Sequence, residues 1–110
     1  MAVSDVTIKS WSLNSYTNDT WTDLVAGSAN NETLKGVIIS NTSVSAGVVT
    51  CRITNSGGTS LCVMLPPTSI AAGIAQALDV DGVNLTSSQK FQVKVNIAGF
   101  EFYASGVTYA

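Results

Sequence analysis

The segment Phe91-Gln92-Val93-Lys94-Val95-Asn96-Ile97 decides the fold class. Phe91, Val93, Val95 and Ile97 recur at every second position, with Gln92, Lys94 and Asn96 between them. In an extended chain the apolar set falls on one face and the polar set on the other. That alternation describes a strand with one side in a core and one side in water. After Ala98-Gly99 the chain runs into Phe100-Glu101-Phe102-Tyr103-Ala104, where the same period separates Phe100 and Phe102 from Glu101 and Tyr103. The intervening turn predicts that the two segments pair as a hairpin.

Upstream, residues 33–41 and 46–54 are β-branched runs joined by the loop Thr42-Ser43-Val44-Ser45. The turn Asn55-Ser56-Gly57-Gly58 leads into a further strand over residues 59–65, and residues 21–27 supply an earlier one. Residues 69–78 are interrupted by Gly73 and follow Pro66-Pro67, so they read as a turn and short strand rather than a helix. No segment sustains apolar residues at helical spacing. Short β-rich runs with turn residues about every 8–12 positions predict an all-β fold, a single antiparallel β-sandwich or jelly roll occupying residues 1–110. In residues 1–20, Val6, Ile8, Trp11 and Leu13 are separated by polar residues without one period. That segment reads as an extended N-terminal arm or an edge strand; an arm of about 15–20 residues reaches ~50–70 Å at most.

Of the 110 residues, 45% are hydrophobic and only 11% charged, against about a quarter charged in ordinary soluble domains. Ser, Thr, Asn, Gly and small apolar groups must therefore form much of the surface. Such a surface is poorly protected against association, which predicts a homo-oligomer or a docked module. The formal net charge is −2, and the five cations Lys9, Lys35, Arg52, Lys90 and Lys94 are scattered along the chain. With no basic stripe to neutralise phosphates, nucleic acid is not an expected partner. The opening Met1-Ala2-Val3-Ser4-Asp5 lacks the features of a secretory signal, and no apolar run approaches the roughly 18–20 residues of a membrane span. Cytoplasmic synthesis and no membrane partner are expected.

The chain has no histidine, which removes the usual general base, the usual metal ligand and every Ser-His or Cys-His nucleophile pair. Asp79-Val80-Asp81-Gly82 holds the nearest carboxylate pair, but Gly82 marks a turn, where Asp is favoured by side-chain bonds to nearby backbone N–H groups. It also lacks the later glycine and closing glutamate of a calcium loop. Ser87-Ser88-Gln89-Lys90 has the Ser-x-x-Lys spacing without the helix start and companion motifs that give it meaning. No catalytic residue, metal or cofactor is expected, and the chain reads as a non-enzyme.

A tight hairpin centred on Ser56-Gly57 pairs residues whose numbers sum to 113, which sets Cys51 opposite Cys62. Val49, Cys51, Ile53, Cys62 and Met64 then share a face, and the two cysteines read as core thiols, with a cross-strand disulfide as the alternative. Trp11, Tyr16 and Trp21, together with Val6, Ile8 and Leu13, are the interface candidates. The alternative is a carbohydrate-binding module in which Trp11, Trp21 and Tyr103 stack on sugar rings.

The run Thr33-Leu34-Lys35-Gly36-Val37-Ile38-Ile39-Ser40-Asn41-Thr42 is followed by residues 48–54. Leu65-Pro66-Pro67 with Ile70-Ala71-Ala72-Gly73 comes next, and then residues 91–97. In that order these pieces resemble small structural proteins of tailed bacteriophages, over about residues 33–110. In those families a strand ending in Asn-Thr opens a sandwich or jelly roll, a Leu-Pro link crosses between sheets, and an aromatic-x-Val-x-Val strand closes it. The resemblance implies a virion location and a capsid decoration or cement protein that binds the major capsid protein, or other virion proteins, at subunit joints. It implies a homo-oligomer with a trimer favoured. Residues 1–32 match nothing in the pattern, which leaves a tail, neck or baseplate component as the rival.

Overall fold

The structure, a computed structural model, describes residues 6–109. Among them are nine strands: β1 (Val6–Leu13), β2 (Thr22–Val25), β3 (Asn31–Asn41), β4 (Gly47–Thr54), β5 (Ser60–Ile70), β6 (Ala75–Leu78), β7 (Val83–Leu85), β8 (Lys90–Val95) and β9 (Phe100–Tyr109). They form two antiparallel sheets. The front sheet runs β1-β9-β3-β6, with β7 also on β3, and the back sheet runs β2-β8-β4-β5. Because β6 and β7 pair with different stretches of β3, Val37 to Ser40 and Glu32 to Leu34, they act as one interrupted strand. Taken so, the eight strands are wound as 1-8-3-6 over 2-7-4-5, the double Greek key of a jelly roll. Thus the all-β, two-sheet architecture expected from the alternating segments is what the chain adopts.

The predicted hairpin between residues 91–97 and 100–104 does not form. β8 lies between β2 and β4 in the back sheet, whereas β9 lies between β1 and β3 in the front sheet. The turn at Ala98-Gly99 is a corner between sheets, and Gly99 takes φ +98° there. A crossing sets Phe91, Val93 and Val95 across the core from Phe100, Phe102 and Ala104, all buried. Pairing them side by side in one sheet would have left that joint apolar face needing another cover. Alternation specifies which face is apolar but is silent on which sheet each strand joins.

Two corners of this wrap are polar nodes. Asn41, 1% exposed at the end of β3, donates from Nδ2 to the carbonyls of Ser45 and Ile70, each at 2.9 Å. Its Oδ1 accepts from the Ser43 N–H at 3.0 Å, and the Ser43 hydroxyl, with one proton to give, lies 2.7 Å from both this oxygen and the Ser45 carbonyl. One amide thereby ties the β3–β4 loop to the end of β5. Tyr16 serves the other corner: its hydroxyl donates to the Ile97 carbonyl at 2.7 Å and accepts from the Phe100 N–H at 3.0 Å. Its ring meets Phe102 edge-on at 6.2 Å.

β1 pairs with β9 along its whole length, from Val6 with Tyr109 to Leu13 with Phe102. Residues 6–13 of the segment read as an arm or edge strand therefore lie at the edge of the front sheet; residues 1–5 fall outside the described residues. On β3, one strand further into the sheet, Glu32 is buried. Burial holds its carboxyl above the ordinary 4.5, with the charge of Lys9 pulling the other way. A raised value in the folded state means that folding favours the protonated form. The contribution is complete below 4.5 and is lost as pH rises through the raised value. Glu32→Gln is therefore expected to raise the melting temperature at pH 7 by a few degrees while changing little at pH 4, read by thermal unfolding at both.

The two cysteines do not face each other. Asn55 and Thr59 close the hairpin, and irregularities after Val49, Cys51 and Ile53 shift the register, so Cys51 lies opposite Leu65 and Cys62 opposite Ile53. Both thiols are free; Cys51 is in the core, but Cys62 is exposed at the uncovered edge of β5. Only one of the two is a core thiol. Burial pushes the Cys51 thiol up to about 12, which suppresses its thiolate at neutral pH. A thiol reagent at pH 7.5 is expected to modify one cysteine in the native protein, Cys62, and both after denaturation, as read by intact mass.

Candidate interaction surfaces

β5 is the outer strand of the back sheet and bonds only to β4 among the described residues. Its residues from Ser60 to Val63 are all exposed, with Leu61 and Val63 each 52% accessible. Natural edge strands are commonly blunted with charges. Here residues 53–78 contain none. Pro66 and Pro67 interrupt the far half of the strand, which an edge tolerates because one side of its backbone needs no donor. The result is a short apolar edge, Leu61 to Leu65, with its outward backbone groups free to pair.

The outer surface of the back sheet has different chemistry. The strands of that sheet carry Asp23, Arg52, Lys90 and Lys94 and no other charge. Three of the five cations, scattered in sequence, are thus gathered on one sheet, because β8 and β4 are neighbours with Arg52 opposite Gln92 and Thr50 opposite Lys94. The Arg52 guanidinium lies 4.0 Å from the centre of the Trp21 ring, and the Lys94 ammonium 5.0 Å from it. Arg52 Nε donates to Gln92 Oε1 at 3.0 Å, and Gln92 Nε2 donates to Asp23 Oδ1 at 2.8 Å. Lys90 approaches the other Asp23 oxygen at 3.8 Å.

On the front sheet, Tyr103 of β9 stands beside Ile38 of β3 on the outer face. With Ser12, Asn14, Ser40 and Glu101 they border an open depression of about 260 Å³. Tyr103 is 51% exposed, a half-open ring on a sheet whose strands carry Lys9, Lys35, Glu32 and Glu101 and so no net formal charge.

The six interface candidates do not make one patch. Val6 and Ile8 are exposed on β1, Ile8 at 88%. Trp11, Leu13 and Tyr16 pack partly buried against the core, and Trp21 lies on the opposite side beneath Arg52 and Lys94. For the same reason Trp11, Trp21 and Tyr103 do not come together as one sugar-stacking platform. Sequence reasoning missed Arg52, Gln92 and Lys94 as a group and Leu61 and Val63 as an edge. Gln92 and Lys94 were legible as the wet face of one strand; only the β8–β4 pairing adds Arg52.

No protein-family model matches the sequence, and no curated protein matches it either. Solved structures do share the fold. A chain of the T13 IBDV viral particle matches with TM-score 0.55 at 10% identity, covering 96% of this chain and 31% of that one. The structure of the infectious bursal disease virus Gx strain gives TM-score 0.55 at 13% identity, covering 94% and 32%. The Drosophila NLP core, whose structure bears on pentamer formation and histone binding, gives 0.57 at 12% identity, covering 96% and 97%. The chain spans about a third of the viral chains and nearly all of the NLP core. At these identities the likeness is one of fold.

Proposed function

We propose that this chain is a non-enzymatic structural protein of a virion, a decoration or cement protein seated on the outside of a capsid where major capsid subunits meet. The observation that carries the reading is a jelly roll whose β5 edge is apolar, uncharged and unpaired, a surface suited to subunit contacts rather than to bulk solvent. The fold shared with chains of viral particles supports it by analogy. The order of motifs that resembles tailed-phage proteins supplies the phage setting, and the solved neighbours do not single that setting out. Self-association through β5 is part of the proposal, with a trimer as the expected state.

Two measurements test it. Light scattering on the purified protein is expected to give three times 11.4 kDa, and Val63→Lys, which places a charge on the bare edge, is expected to give the monomer mass. A wild-type monomer overturns free self-association. Quantitative mass spectrometry of virions from the encoding virus is expected to find hundreds of copies per particle. A few copies would indicate a tail or neck component instead, and absence would overturn the virion role.

A further inference from the structure

We propose that the outer face of the back sheet is a docking site for an acidic protein segment, in which Arg52, backed by Trp21, receives a carboxylate and Lys94 a second one. This goes beyond the virion role and does not depend on it.

Arg52, Lys90 and Lys94 against Asp23 give the strands of this sheet a formal +2, so the remainder of a chain of total −2 carries −4. Lys90 has Asp23 as its counter-ion. Arg52 and Lys94 have no carboxylate within 4 Å among the described residues, yet both approach the same Trp21 ring. Two like charges that approach one ring repel, and a carboxylate bound at each relieves that repulsion.

The guanidinium is also preorganised. Trp21 covers one face, Gln92 fixes Nε, and Nη2 touches only the Gly58 carbonyl, at a long 3.5 Å. The remaining N–H groups at the terminal edge present the planar fork that a carboxylate accepts in bidentate fashion. Because Arg52 is held in place before binding, less side-chain entropy is lost when the partner arrives. Val63 stands opposite Arg52 on the neighbouring strand, 52% exposed. A Trp and an Arg beside an apolar rim is the composition of a binding hot spot.

Carboxylates fit better than a nucleic-acid backbone. Two uncompensated cations cannot neutralise a run of phosphates, and the −4 on the rest of the molecule opposes a long polyanion. A protein segment with two or three acidic side chains needs no more than this face offers.

The test is a titration of the full chain with a hexaglutamate peptide, followed by tryptophan fluorescence, with Trp11→Phe assigning the signal to Trp21. A saturable change that weakens as salt is raised is expected. Arg52→Gln and Lys94→Gln are each expected to weaken binding, the first by about tenfold. Arg52→Lys, which keeps the charge and loses the fork, is expected to fall between wild type and Arg52→Gln. If Arg52→Gln fails to fold, Lys94→Gln carries the test. No fluorescence change in Trp11→Phe, unaltered affinity in the folded variants, or equally tight binding of hexathymidylate overturns the proposal. Virion composition and this titration fail separately, so each reading can fall without the other.

Discussion

Asn41→Asp is expected to be the most damaging single-atom exchange in the molecule, costing about 4 kcal/mol or more at pH 7 in urea denaturation. The amide nitrogen it replaces donates to the carbonyls of Ser45 and Ile70. An ionised oxygen in that place faces two carbonyl oxygens at a site only 1% exposed. Repulsion and desolvation act in the same direction, and both disfavour the charged form. The variant's carboxyl is therefore raised in the folded state, and much of the lost stability should return as pH falls below the ordinary carboxylate range, where a proton restores one donor. Asn41→Ala separates the two effects. It leaves the Ile70 carbonyl without its side-chain donor, while the Ser43 hydroxyl, with Oδ1 gone, gives its one proton to the Ser45 carbonyl 2.7 Å away, so a loss of about 2–3 kcal/mol with no recovery in acid is expected. Equal losses for both variants at every pH would show that the node matters only through packing.

Gly106→Ala is expected to cost about 3 kcal/mol or more, a large effect for one methyl group. Gly106 lies on β9 where the pairing with β3 shifts register between Leu34 and Gly36. A Cβ there would collide with the Thr33 carbonyl oxygen and lie 3.1 Å from the Thr33 carbonyl carbon and 3.2 Å from the Leu34 Cα. Those are backbone atoms in the middle strand of the front sheet, so no side-chain rotation relieves the contact. The sheet must open at its bulge or the variant must not fold. Gly57→Ala is the control: its nearest neighbour is the Asn55 side-chain oxygen at 3.5 Å, an ordinary contact, and a cost below about 1 kcal/mol is expected. The two midpoints in urea give the comparison directly.

The strands were more legible than their neighbours. β8 announces itself through Phe91, Val93 and Val95, and all three are buried. The period says nothing of the sheet to which a strand belongs, so in sequence alone the corner at Gly99 is indistinguishable from a hairpin turn. β1 gave no period because much of it has little cover. Lys9 shares the parity of Trp11 and Leu13, which pack on the core, and yet is exposed. β5 runs on to Ile70 through Pro66 and Pro67, a pair that in sequence marks the end of a strand. Prolines are compatible with a strand whose outer side has no partner, but nothing local marks a strand as an edge. The Arg52–Trp21 cluster was hidden for the same reason: its members lie 31 positions apart in sequence and meet only through the order of the back sheet.

The pairing of Val6 with Tyr109 at one end of the β1–β9 ladder has a mechanical consequence. Tension applied between the two ends of the described chain pulls on adjacent points of an antiparallel pair, perpendicular to both strands. The load falls on one rung at a time instead of being shared along the ladder, so β1 peels away from β9 as a zip opens. The rest of the wrap bears little of that force until the last rung, Leu13 with Phe102, has parted. A molecule wired this way yields easily to traction on its ends, while forces applied across its faces meet the two sheets and the core between them.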